Sequence, residues 1–184
     1  LSLSAHKFHG PKGIGVLYAK KGIELTTIME GGGQERGKRP GTEDVPAIMG
    51  MAAALEEECG SMEEHAVKIT AMRDRLIQGL SRIPNSILNG SVRNRLPGNV
   101  SFCFEGISGE SLLLLLDGRG ICASSGSACA SGALDPSHVL LALGRTLEAA
   151  QGALRISLDS TNTEEEIDYM LEVIPQVVEQ LTSV

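Results

Sequence analysis

The stretch from Val45 to Ile83 constrains the fold more than any other part of the chain. Apolar residues recur there at helical spacing in two sets. The first is Val45, Ile48, Met49, Ala52, Ala53 and Leu55. The second is Val67, Ile69, Met72, Leu76, Ile77 and Leu80. Thr42-Glu43-Asp44 supplies capping and acidic first-turn chemistry ahead of the first set. Pro84 stops the second, and Gly60-Ser61 separates the two. The pattern predicts helices over about 45–58 and 62–83, with a domain boundary near Gly60. The centre of the chain is thereby given to helix, so any sheet must be assembled from short runs on either side.

Those runs are present. Before the helices, "IGVLYAKK" (14–21) reads as a strand and "GGGQERGKRPGTED" (31–44) as a loop. After them, "SILNG", "NVSFCFEG" and "ALRISL" read as strands, and "RGICASSGSACASG" as a strand entering a loop. Ser108 caps a helix through Leu116, and "PSHVLLALG" is a short helix with Pro at its start and Gly at its end. Thr163 with Glu166 forms a capping box for a last helix, whose stripe is Ile167, Met170, Leu171, Ile174, Val178 and Leu181. Pro175 is expected to kink that helix. The alternation gives an α/β class.

Length and charge exclude some functions. A chain of 184 residues buries roughly 70% of its unfolded surface, enough for a true core. The net charge of −7 disfavours non-specific nucleic-acid binding, which rests on phosphate neutralisation by Lys and Arg. No apolar run approaches the ~20 residues that cross a bilayer, so no membrane partner is expected. Cysteines 59, 103, 122 and 129 lack Cys-x-x-Cys spacing, which argues against a zinc site or disulfide framework. No metal site is expected. Reduced thiols in a cytoplasmic protein are the plain reading.

Three residues stand out chemically. Lys7 lies in "SAHKFHGPKG" (4–13), on a short loop after a strand-like start. A surface role is the plain reading of any lysine. A fixed, accessible amine can also form a Schiff base with a carbonyl, with the hydroxyl and imidazole beside it suited to a phosphate. Cys129 lies in "ASSGSACASG" (123–132), among small and polar residues with few apolar anchors. The segment is expected to be mobile and exposed, so its thiol can be carried to a substrate. Arg155 sits inside the apolar strand "LRISL" and must find an anion. An internal carboxylate would serve, and so would a substrate carboxylate held bidentately.

The segments "SAHKFHGPKG", "GGGQERGKRPGTED", "SSGSACASGALDPSHVLLALG" and "LRISLDSTNTEEEID", in this order and spacing, resemble the cysteine desulfurases. These are the NifS/IscS-like group of class V aminotransferases, within the fold-type I pyridoxal phosphate enzymes. The resemblance runs over nearly the whole chain. It implies the C-terminal part of a pyridoxal-phosphate-dependent transferase fold: residues 1–60 a remnant of the large cofactor-binding domain, residues 61–184 the small α/β domain with the cysteine loop. It implies that Lys7 carries the cofactor covalently. Ser4 and His6, with Ala5 between them, meet its phosphate, and Thr42 reaches the phosphate of the other subunit of a homodimer. Cys129 is the persulfide-forming nucleophile, and Arg155 holds the carboxylate of L-cysteine.

The implied activity converts L-cysteine to L-alanine. Sulfur passes as a Cys129 persulfide to an acceptor or scaffold protein, for iron–sulfur cluster or thio-cofactor assembly. Family members carry about half their length before the lysine, so the chain is expected to be truncated, inactive alone and without firmly bound pyridoxal phosphate. Two other readings stay open: a non-catalytic sulfur-carrier or binding module, and a selenocysteine lyase or aminotransferase-like enzyme.

Overall fold

The structure, a computed structural model, describes residues 1–125 and 136–183. The chain divides into two compact units, residues 1–62 and 63–184.

In the first unit, β1 (Ser2–Ser4) pairs antiparallel with β2 (Gly15–Leu17), Leu3 opposite Val16. A 3-10 turn, Ala5–Lys7, follows β1 directly. The segment α1 (Gln34–Gly37) is a tight turn rather than a regular helix, since Glu35 and Arg36 take left-handed backbone angles. The helix α2 (Val45–Leu80) begins here and runs on into the second unit. Among the described residues of the first unit only Ala5 is buried. Val16, Leu17, Tyr18, Ile28, Val45 and Met49 are all exposed. Backbone hydrogen bonds rather than a core hold this unit's shape.

The second unit has a core. Its sheet is β3 (Ser86–Leu88), β4 (Asn99–Phe104) and β5 (Ala153–Ser157), all antiparallel with β4 central. Alternation along β4 and β5 divides the sheet into two faces. Val100, Phe102, Phe104, Leu154 and Ile156 join Met72, Leu76 and Leu80 of α2 in the main cluster. Leu112 and Leu116 of α3 (Gly109–Asp117) and the stripe of α6 (Glu164–Thr182) complete it. Each of these large side chains contributes about 1.5–3 kcal/mol by leaving water. Cys103 and Ala153 face the other way and pack with Leu140 of α4 (His138–Ala142) and with Ala149 and Ala150 of α5 (Leu147–Gln151).

Several expectations change. The two central helices are one: α2 passes through Gly60, where an added Cβ would meet nothing within 4 Å. A glycine inside a helix costs only about 1 kcal/mol, which the flanking residues outweigh. Val67, placed in the apolar stripe, is 74% exposed. The strand at 14–21 shortens to β2, and the run before the cysteine loop makes a single bridge, Ser124 to Arg155, leaving Cys122 exposed. Cys59 lies within α2 rather than at a helix end. Pro175 lies inside α6, which continues through it to Thr182. The short helix α5 was not anticipated. Its signal was Thr146, whose side chain accepts from the Ala149 N–H at 3.1 Å. The α3 cap at Ser108 and the Thr163–Glu166 capping box form as expected.

Candidate active site

The lysine segment is fixed through Ala5. The Ala5 N–H donates to the Ile14 carbonyl at 3.1 Å, and the Ala5 carbonyl accepts from Phe8 and Gly10 N–H groups at 3.0 and 2.9 Å. Gly10 is required by this closure, because a Cβ there would lie 2.8 Å from the Ala5 Cβ. Both backbone polar groups of Ala5 are therefore engaged and its side chain is buried, so it pins the turn. Ser4, His6 and Lys7 are exposed on the same turn. Ser4 stands at the turn's N-cap without a side-chain capping bond. Thr42 follows Gly41, which has a φ of 104°, and is exposed ahead of α2. The turn thus combines a hydrogen-bonded backbone with side chains that no described residue engages: an amine, an imidazole and a hydroxyl.

Arg155 belongs to the second unit. On β5 it lies between Leu154 and Ile156, which enter the core, and opposite Ser101 of β4. Arg155 and Ser124 bond reciprocally through their backbones, at 3.0 and 2.6 Å. The guanidinium donates from Nη2 to the Ser124 Oγ at 3.1 Å. Its Nε is buried with no acceptor among the described residues. No carboxylate pairs with it among those residues, so the internal ion pair considered from sequence does not form there.

Arg155 lines a cavity of about 410 Å³, with Ser101, Ser137, Leu140 and the loop 89–99. That loop is tied down by three guanidiniums. Arg95 donates to the Ser91 carbonyl at 3.0 Å, to the Asn99 carbonyl and side chain at 3.0 and 3.2 Å, and to the Asn89 carbonyl. Burial, then the neighbouring Arg73 charge, hold Arg95 below its ordinary pKa. Arg73 of α2 reaches the carbonyls of Arg95 and Leu96 at 3.4 and 3.2 Å. Arg145 donates from Nε to the Asn89 Oδ1 and from Nη2 to the Leu88 carbonyl, each at 2.8 Å. Asn89 in turn donates to Ser101 Oγ and Cys103 Sγ, both at 3.2 Å. Burial pushes the Cys103 thiol up, as suits an inert packing cysteine.

Cys129 and its loop from residue 126, expected to be mobile, lie outside the described residues, while residues 123–125 are half-buried and Ser124 bridges to Arg155. Sequence reasoning passed over Asn89, Arg95, Ser137 and Arg145. The available signal was "NGSVRNRLPGN" (89–99), a Gly- and Pro-bounded loop rich in hydrogen-bonding side chains. A larger cavity of about 570 Å³, lined by residues of α2, α6 and the segment after α2, contains none of the candidate residues. Among the described residues no helix is long and apolar enough to cross a membrane.

Comparison with known proteins gives the family. Residues 1–170 match the family described as Aminotransferase class-V. The chain is 54% identical over 183 residues to a protein of Clostridium botulinum (strain Kyoto / Type A2) named Cysteine desulfurase IscS, covering 98% of this chain and 46% of that one. It is 51% identical to a Methanosarcina thermophila protein of the same name, covering 98% and 45%. Among solved structures, a NifS-like protein superposes with a TM-score of 0.86 at 41% identity, over 98% of this chain and 46% of that one. A NifS-like protein from Rickettsia africae gives 0.85 at 31% identity, over 100% and 47%. The chain therefore spans about half the length of the curated relatives it matches.

Proposed function

The chain belongs to the aminotransferase class-V family, and on that premise we propose that the whole protein is a pyridoxal-phosphate-dependent cysteine desulfurase. The observation that carries this reading is the turn Ser4–Lys7. Its backbone is pinned through Ala5 while Ser4, His6 and Lys7 remain exposed. That arrangement fits an aldehyde-bearing, phosphorylated cofactor: Lys7 would hold it, Ser4 and His6 would meet its phosphate, and Thr42 would serve the partner subunit of a homodimer. A module that only carried sulfur would have no use for such a turn.

When bound, pyridoxal phosphate supplies an electron sink for the charge left on a substrate α-carbon. The chain's own residues do the rest. Arg155 holds the carboxylate of L-cysteine by charge-assisted hydrogen bonds. The Lys7 amine moves the proton at the α-carbon. The Cys129 thiolate attacks the substrate sulfur. A sulfur–sulfur bond forms as the carbon–sulfur bond breaks, and the carbon side keeps the electron pair and takes a proton to give L-alanine. Cys129 is left as a persulfide, which an acceptor protein receives for iron–sulfur cluster or thio-cofactor assembly. Cys59, Cys103 and Cys122 are unpaired, which supports a reducing compartment such as the cytoplasm. The boundary between large and small domains falls near residue 60 on this reading.

The test is cysteine turnover by the whole protein, followed as alanine and sulfide. Cys129→Ser abolishes both, because a hydroxyl cannot hold a persulfide. Cys59→Ala, Cys103→Ala and Cys122→Ala retain both. Turnover by the Cys129→Ser protein would show that another thiol, or another reaction, is at work.

A further inference from the structure

We propose that Ser137 is a second donor to the substrate carboxylate, acting beside Arg155 in the cavity on the α4-covered face of the sheet; this rests on the reading of Arg155 given above. The residue directly precedes α4, where a serine ordinarily turns its hydroxyl onto free amide groups of the first turn. Ser137 makes no such bond. Its backbone carbonyl accepts from the Leu141 N–H at 3.2 Å, so the helix starts without help from the side chain. The residue is only 8% exposed, and its Oγ is buried with no partner among the described residues.

Ser137 lines the same cavity as Arg155, whose Nε is likewise buried without an acceptor. A buried donor left unmatched is costly, and two at one cavity, met by no described residue, point to an acceptor from beyond the described residues, which a substrate anion supplies. Two other polar side chains of the cavity wall, Asn89 and Arg95, are committed. The Asn89 side chain serves Ser101, Cys103 and Arg145, and the Arg95 guanidinium serves backbone carbonyls and Asn99. Arg155 and Ser137 are the buried donors that an entering anion can satisfy. A carboxylate suits them, since its two oxygens carry about four acceptor sites and can serve a guanidinium and a hydroxyl together.

The experiment uses the whole, cofactor-loaded protein. It measures binding of L-alanine, which has the carboxylate but no sulfur, and of ethylamine, which lacks the carboxylate. Ser137→Ala is expected to weaken L-alanine binding about tenfold, the loss of one hydrogen bond to a charged acceptor. Ethylamine binding stays unchanged, and KM for L-cysteine rises by the same factor with kcat within twofold of the parent. Ser137→Thr, which keeps the hydroxyl, restores binding. Thermal stability of Ser137→Ala without amino acid is at or above the parent value, because the substitution removes a buried hydroxyl that no described residue partners. Unchanged L-alanine affinity in Ser137→Ala, with loss in Arg155→Ala, overturns the part given to Ser137 and leaves Arg155 in place. Unchanged affinity in Arg155→Ala overturns the reading of Arg155 on which the proposal rests. Equal weakening of L-alanine and ethylamine by Ser137→Ala also overturns it, since the carboxylate would then not be the group that Ser137 meets.

Discussion

Replacing Asn89 by alanine is expected to destabilise the second unit by about 3 kcal/mol, the sum of one neutral and one charge-assisted hydrogen bond. Asn89 is 4% exposed and stands where β3 gives way to the loop 89–99. Its amide donates to Ser101 Oγ, and its Oδ1 accepts from the Arg145 Nε at 2.8 Å. The first bond is worth about 1 kcal/mol and the second about 2 kcal/mol, because removing the acceptor leaves a guanidinium nitrogen without its partner. The contact with the Cys103 sulfur is weaker and adds little. The backbone bond from the Asn89 N–H to the Ser101 carbonyl, at 2.9 Å, survives the substitution, so the register of β3 against β4 is kept.

Urea unfolding measures the cost as a lowered midpoint with an unchanged slope. A double-mutant cycle isolates its origin. Arg145→Met removes the guanidinium that Asn89→Ala strands, so the double mutant is expected to be more stable than the two single costs imply, by about 2 kcal/mol. A cost below about 1 kcal/mol for Asn89→Ala would refute the assignment of a buried charge-assisted bond. Strictly additive costs would refute the coupling to Arg145. Because Asn89 also lines the Arg155 cavity, the variant is expected to bind L-alanine more weakly without losing the Arg155 contact itself.

Two further predictions concern other parts of the second unit. Gly152→Ala places a Cβ 2.0 Å from the Phe104 carbonyl oxygen and 2.9 Å from that of Ile107, both backbone atoms that cannot rotate away. It is expected to cost about 3 kcal/mol or more and to reduce soluble yield, because β5 can no longer close against β4. At the start of α6, the Asn162 side chain and then the Thr163 backbone hold the Glu166 carboxyl below its ordinary value of 4.5. Its contribution is present above about pH 4.5 and is lost as the pH falls through the lower folded-state value, so Glu166→Gln should flatten the loss of stability in acid titration.

Local signals announced themselves in the sequence, and long-range ones did not. The alternation in "NVSFCF" gave a buried strand, with Phe102 and Phe104 in the main cluster and Cys103 on the other face. Arg155 was legible as a misfit, a cation inside an apolar strand. Its surroundings were not, because they come from a loop some sixty residues earlier in the chain, as the numbering 89–99 shows, and from α4. Gly60 misled for the opposite reason: a residue that usually ends a helix does not do so where its neighbours on both sides favour one.

The helix caps show most directly where local reasoning stops. Ser108, Ser137, Thr146 and Thr163 each stand at the N-cap of a helix, and only Ser108 and Thr163 read so from the sequence. Ser108, Thr146 and Thr163 accept the amide three residues on, at 3.4, 3.1 and 3.3 Å. Ser137 does not. Ser108 and the two threonines are exposed, where water can compete for the hydroxyl and the cap bond is the better local choice. Ser137 is buried, where water cannot take the place of a missing partner, so forgoing the cap is costly unless another acceptor arrives. All four are a Ser or Thr directly ahead of a helix, and only Thr163 adds a capping-box glutamate. Only the tertiary setting, a covered hydroxyl at the cavity that holds Arg155, turns one of them from a helix start into a candidate ligand group.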